Sequence, residues 1–391
     1  MRPPSLTGLL CLSVFSSTFA IGAFPTLLPE LGSVAGLADW EIGLVAGLFG
    51  FARMAADIPV GLVITHHLRR VLMVAPFVLA AGALCLGSGG PFAILALGRG
   101  VMGAGHALTV VSGLTALLRF GATSSMGAAL TAFELSAMIG VLGGTVFVGV
   151  LPSRLPWNVA LLIACSPQLV TFAVLPRVLA ALRRQADSGA SPVAHQAGGG
   201  RATVTAGVLV AFAAGGAAAL TYSTLEQFVI PIRAHREFGL DRQGIARLLM
   251  ILEAADVVCL LPLGVLVDRL GVHRVLGPIM IVFGVGTLFT AFGRFAFAVA
   301  GCVLCGVGMA GWPLPLGLLR RETAPAQIGW RTAVYRVGVD GGLFLGPVLR
   351  DRADRDRRSG PSSTRWHEPP TGLVGKSSGS RWPLRIRVAT R

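Results

Sequence analysis

Gly264-Val-Leu-Val-Asp-Arg-Leu-Gly-Val-His-Arg-Val-Leu276 is a short polar segment, punctuated by glycine, between two long apolar runs. An earlier segment, Gly61-Leu-Val-Ile-Thr-His-His-Leu-Arg-Arg-Val-Leu72, sits between two apolar runs in the same way. Their opening glycines are 203 residues apart, and so are Gly103-Ala-Gly105 and Gly306-Val-Gly308. Two unrelated features sharing one offset point to a duplicated structural unit.

The runs around these segments are long enough to cross a bilayer, which takes about 20 apolar residues per helix. They lie near Leu6–Leu28, Ile42–Ile64, Val71–Leu86, Phe92–Leu118, Met126–Leu151 and Val159–Leu175. A second series follows at Val204–Ile232, Ile245–Val267, Val275–Phe292, Phe295–Leu319 and, more weakly, Val334–Leu349. Arg2 ahead of the first run resembles a signal peptide, but ten more runs follow, so a retained helix is expected. Composition agrees: of 391 residues 53% are hydrophobic and 13% charged, about half the charge of a soluble domain.

The formal net charge of +15 divides unevenly. Residues 350–391 hold eleven Lys/Arg and four Asp/Glu, and most of the remaining excess falls in loops. No aromatic-interleaved basic patch accompanies it, so nucleic-acid binding is not expected. With an N-terminus inside, thirteen loop arginines fall on the inner side and five outside, which sets a cytoplasmic N-terminus. The loop after the seventh run dissents. All six cysteines lie in apolar runs; Cys302-x-x-Cys305 has no second ligand pair, so packing is expected rather than a metal site.

The expected organisation is an N-terminal bundle over 1–176, a basic Gly/Ser/Pro-containing linker over 177–203, an incomplete C-terminal bundle over 204–349 and a polar, disordered tail over 350–391. The tail reads as a frameshifted or truncated end in place of a twelfth span. The fold class is thus an all-α membrane protein of two six-helix bundles, about eleven helices present and helix 12 missing.

The 264–276 segment resembles the signature of the loop between helices 2 and 3 of the major facilitator superfamily, keeping Gly264, Leu266, Asp268, Arg269, Gly271 and Arg274. The first copy keeps Gly61, Arg69 and Arg70, with Thr65 in place of the acid. Leu95-x-x-x-Arg99-x-x-x-Gly103-x-Gly105 and the run from Tyr335 to Pro347 resemble further motifs, and the antiporter proline of helix 5 is absent, only Gly140, Gly143 and Gly144 hinting at it. The resemblance implies a solute transporter with a substrate site between the halves. Physically, Gly264 and Gly271 permit close approach and a tight turn. Asp268 is placed to accept hydrogen bonds from a neighbouring helix N-terminus, a contact that Arg269 and Asp268 would make and release as a gate. Plain loop geometry explains the same residues without gating.

An ionisable group at a helix centre costs about 2.5–3.5 kcal/mol on insertion scales, so each asks for a reason. The candidates for substrate contact or proton coupling are Asp57, Arg99, Glu134, Glu226, Glu253, Asp256, Arg336 and Asp340, with Arg53 and Arg247 beside them. Arg53/Asp57 and Arg336/Asp340 are spaced i,i+4, which fits a bridge within each helix. Glu253 and Asp256 share a face with no cation three or four residues away, the pattern of a proton carrier. Arg99 is placed to pair with Glu134 or to position water. Trp312-Pro313-Leu-Pro315 should break its helix. His106 reads as a hydrogen-bonded structural histidine.

The expected function is a monomeric secondary transporter of the inner membrane, moving a small-molecule substrate with the proton as coupling ion, surrounded by lipid and needing no cofactor. The alternative is a non-transporting receptor or scaffold, or an inactive truncated transporter. His-Glu-x-x-His, Gly-x-Ser-x-Gly and Gly-x-x-x-x-Gly-Lys-[Ser/Thr] are all missing, so no catalytic residues are assigned.

Overall fold

The computed structural model describes residues 5–120, 126–187, 204–323 and 327–359. Ten helical passages are long and apolar enough to cross a membrane: α1 (Leu6–Val34), α2 (Asp39–Ile64), α3 (His66–Gly87), α4 (Phe92–Phe120), α5 (Ala129–Val150), α6 (Trp157–Gln185), α7 (Ala206–Arg236), α8 (Arg242–Leu270), α9 (Val272–Phe292) and α10 (Phe295–Arg321). An eleventh helix, α11 (Ile328–Ser359), packs along α2 and α7. Short connections make successive helices antiparallel. One face therefore carries the start of α1 and the α2–α3 and α8–α9 junctions; this is the near face. The far face carries the α1–α2, α5–α6 and α7–α8 turns.

Two helices outrun the sequence expectation. The helix that ends α6 continues through Pro176 to Asp187, because Leu-Ala-Ala-Leu-Arg-Arg are good helix formers. Helix α11 continues to Ser359, ten residues into the stretch read as an unstructured tail; that stretch spaces Arg and Asp at i,i+4. The rest of the linker and the tail from 360 lie outside the described residues. The α2–α3 junction is a kink rather than a loop, with His67 alone non-helical at φ −127°, ψ 31°.

The duplication is present in three dimensions. Gly36 and Gly239, 203 residues apart, close the α1–α2 and α7–α8 turns, both at φ +63° where a side chain is disfavoured. A methyl at Gly103 would fall 2.3 Å from the Phe49 carbonyl oxygen, and one at Gly306 would fall 2.1 Å from that of Leu252. Phe49 and Leu252 are again 203 apart. Likewise Gly144 would meet Phe19 O at 2.1 Å, and Gly346 would meet Leu220 O at 2.7 Å. Lipid offers no hydrophobic drive for helix association, so close backbone contact of this kind holds helices together. The two halves use the same contacts.

The buried apolar side chains fall into three clusters. One is shared by both halves and lies toward the far face, with Leu27, Leu31, Val45, Phe49 and Trp157 of the first half against Phe228, Ile245, Leu249 and Cys302 of the second. Toward the near face the core divides. Leu10, Ile64, Leu72, Leu117 and Val178 form one cluster within the first half. Val208, Val275, Leu318, Tyr335 and Val339 form another within the second. The halves are joined at the far face and separate toward the near one.

Candidate functional site

The seam between the halves is where the intramembrane charges gather. Helix α7 contains a π-helical turn at Leu225–Val229, five residues that bring Glu226 and Gln227 into the interior together. Pro231 accounts for it, since it cannot donate to the carbonyl four residues earlier and an α-helix would clash there. Tyr222 donates its hydroxyl to Glu226 Oε1 at 2.6 Å, and Gln227 Nε2 donates to the same oxygen at 3.3 Å. Across the seam, Arg99 Nη2 of α4 donates to Gln227 Oε1 at 3.0 Å. The Arg99 guanidinium lies 3.7 Å from the Phe24 ring centroid and 4.5 Å from that of Phe49, and the side chain is fully buried. The partner of Arg99 is thus Gln227 and not Glu134. Phe24 and Phe49 supply the rest of its stabilisation through their ring faces.

A second group spans α5 and α8. Thr145 donates to Glu253 Oε1 at 2.8 Å, while Glu253 Oε2 and Asp256 Oδ1 are buried without a hydrogen-bond partner among the described residues. Glu134 lies half-buried on α5. Among the described residues no cation approaches Glu226, Glu253 or Asp256 within ion-pair distance. Carboxylates buried among neutral donors are costly when charged, which sets these three apart from the ion-paired acids.

The α2–α11 contact carries a different chemistry. Arg336 Nε donates to Asp57 Oδ2 at 3.0 Å, and Arg53 Nη2 lies 2.9 Å from Asp340 Oδ1. The i,i+4 bridges read from the sequence are therefore replaced by crossed pairs, each joining the two halves. Antiparallel α2 and α11 are drawn close by Gly43, Gly47 and Gly50, whose added methyls would meet the Pro347, Phe344 and Leu343 backbone within 3 Å. At that spacing an arginine reaches the facing helix directly.

Further inter-half contacts close the far face. Arg242, at the start of α8 and 0% exposed at its side chain, clamps Glu30 with Nε at 2.9 Å and Nη2 at 2.5 Å. It also donates to the carbonyls of Leu155 at 2.7 Å and Pro152 at 3.3 Å. Arg236 pairs with Asp39 at 2.6 Å. Within the second half, Arg233 bonds Glu237 and the carbonyls of Thr290 and Gly293. The sequence reading placed these arginines in an outside loop and gave them no partners.

The Major Facilitator Superfamily profile matches residues 207–350. An uncharacterised MFS-type transporter of Enterobacter sp. (strain 638) is 23% identical over 357 residues, covering 88% of this chain and 86% of that protein. The chain thus resembles the major facilitator superfamily, by profile over residues 207–350 and at low identity along most of its length. Solved structures of the same fold include the nucleoside transporter NupG, 14% identical with a TM-score of 0.67 over 89% of this chain and 91% of NupG. A bacterial homologue of the human lysosomal transporter Spinster, inward-facing and occupied, gives 14% and 0.69 over 89% and 84%. The E. coli fucose:proton symporter FucP gives 17% and 0.59 over 90% and 92%.

The loop segment that resembles the superfamily signature sits at the near face. Gly271 ends α8 at φ +84°, the tight turn the sequence requires. Asp268 and Arg269 are exposed, with no hydrogen bond or ion pair among the described residues. Gly61 and Gly264 face open space, so the close approach expected of them is not made in this arrangement. Arg69 and Arg70 are exposed beside the α2–α3 kink, and Arg274 at the start of α9. Helix α10 breaks after Met309 and resumes at Leu314, as its two prolines dictate. His106 is buried against Phe49, 5.5 Å between centroids, with Nδ1 unpaired rather than hydrogen-bonded. Cys302 and Cys305 are buried free thiols.

Proposed function

We propose that the chain is a secondary active transporter that moves a small solute across the inner membrane by alternating access, coupled to protons, with the near face cytoplasmic. The observation that carries this reading is the division of the core: one cluster joins the halves at the far face, and two separate ones stand at the near face. Two symmetric bundles joined at one end need only rock about the seam to exchange which end is joined. The unengaged Asp268 fits the same state, since the near-face contact would form only when that face closes.

The carboxyls of Glu226, Glu253 and Asp256 supply the coupling. Rocking changes which groups and how much water face the seam, and so the cost of ionising each acid. A proton is taken in one arrangement and released in the other. The cytoplasmic assignment of the near face gains support from the far-face arginines. Arg233, Arg236 and Arg242, three of the five that opposed it, are neutralised by Glu237, Asp39 and Glu30.

Reconstituted protein tests this with a pH dye trapped in the vesicles and a panel of external solutes, starting with a nucleoside, a hexose and a peptide. Solute-driven proton movement is expected for one class. Glu226→Gln and Glu253→Gln should each abolish proton movement while exchange of solute down its own gradient persists. Unchanged coupling in both variants would defeat the proposal.

A further inference from the structure

A cleft of about 540 Å³ opens at the near face between the α2–α3 kink, the end of α4 and α6. Its charged lining is entirely basic: Arg69, Arg70, Arg119 and Arg183, with His66 and His67 beside them. The twofold-related place in the second half includes acids. On the 203-residue offset Asp268 stands where the first half has Thr65, and Glu322 where it has Arg119. There Glu322 lies 3.6 Å from His273 and accepts from Thr205. Among the described residues, acids thus stand beside the bases at the second place, while none lines the first cleft. Arg69 and Arg70 also occupy the first turn after the kink, the end of a helix where cations are disfavoured unless an anion is near.

From this cleft an apolar strip runs down the outside of α3. Met73, Phe77 and Leu84 are 45%, 58% and 64% exposed and share one helix face, at i, i+4 and i+11. We infer that the cleft binds the phosphate headgroup of an anionic phospholipid, whose acyl chains lie along that strip. Guanidinium groups match phosphate oxygens in pairs, and a basic pocket at this depth stands at the headgroup level of the bilayer. A soluble anion would use the arginines but would have no use for the strip.

The test is native mass spectrometry of the full-length protein titrated with phosphatidylglycerol, phosphatidylcholine or inorganic phosphate. Phosphatidylglycerol should be retained by the wild type, and at least tenfold less by the variant carrying Arg69→Gln, Arg70→Gln and Arg183→Gln. Phosphatidylcholine should bind weakly to both. The control carrying His273→Gln and Arg274→Gln in the second half should match the wild type. Thr65→Asp, which restores the acid of the sister cleft, should weaken phosphatidylglycerol severalfold without removing any arginine. It keeps the question answerable should the triple variant fail to fold. Equal retention by wild type and Thr65→Asp would overturn the site. Displacement of the lipid by equimolar inorganic phosphate would overturn its lipid identity.

Discussion

Arg242→Gln should release the far face. In the structure Arg242 joins the start of α8 to Glu30 at the end of α1 and to two carbonyls of the α5–α6 turn, so four hydrogen bonds cross the halves from one side chain. Removing one partner of a buried ion pair costs about 3–5 kcal/mol. Glu30 keeps 28% of its side-chain surface in contact with solvent and can be rehydrated, which puts the loss near the lower end, about 3 kcal/mol. On the proposed rocking motion these contacts are made only while the far face is closed, so the whole loss weighs on that state. At 1.4 kcal/mol per decade, the equilibrium moves about a hundredfold toward the far-face-open arrangement. Spin labels at Val34 and Arg294, exposed far-face positions in opposite halves, report it by double electron–electron resonance in a cysteine-free background. The wild type should give a short distance population, and Arg242→Gln a dominant longer one. Arg242→Lys should be intermediate, since it keeps the charge and loses the fork. Identical distributions for wild type, Arg242→Gln and Glu30→Gln would show that this contact does not hold the far face, and the reasoning would fail.

Asp340→Asn should destabilise the folded protein by about 3–5 kcal/mol by leaving Arg53 against a neutral partner, and the exchange Arg53→Asp with Asp340→Arg should recover part of it in a chemical unfolding series. Gly103→Ala and Gly306→Ala should each cost about 1–3 kcal/mol, because both methyls collide with backbone, whereas Gly277→Ala, facing open space, should not; thermal unfolding separates them. Asp268→Asn should slow transport while leaving expression intact, and an unchanged rate would assign the residue to loop geometry alone.

What the sequence disclosed and what it hid follow from the range of each interaction. The glycine pairs were legible because a close backbone contact needs the same small residue in both copies, and the offset stays fixed along a chain. The helix boundaries came within a turn or two for the same local reason, except where α6 runs past Pro176 and α11 runs on to Ser359. The pairing of Arg53 and Arg336 was not legible. An i,i+4 spacing is satisfied equally by a bridge within one helix and by two helices that exchange partners; only the approach of α2 to α11 decides. Arg242 and Glu30 are 212 residues apart and carry no mutual signal. Gln227, Tyr222, Thr145, Phe24 and Phe49 were missed because neutral and aromatic side chains are ordinary in membrane helices. Pro231 was the one available hint of the π turn that exposes Gln227 to Arg99.

The same offsets that align the glycines bring opposite charges into register. Helix α8 repeats α2 at 203 residues, which sets Asp256 where α2 has Arg53. Helix α11 repeats α5 at 202, as Gly144 and Gly346 fix it, and sets Arg336 where α5 has Glu134. The two seams of a nearly symmetric molecule thus carry cations on one side and acids at the equivalent places on the other. On the α2–α11 seam the cations meet Asp340 and Asp57 and the charges cancel across the halves. On the α5–α8 seam Glu253 meets a hydroxyl instead. A neutral pair gains nothing from a proton and can serve as a pivot through the whole motion. An acid without a cation is the group whose ionisation cost would change with its surroundings, as the proposed coupling requires. On the proposed mechanism, symmetry of the backbone would give the molecule its two arrangements, and the reversal of charge between its seams would make only one seam a place for protons.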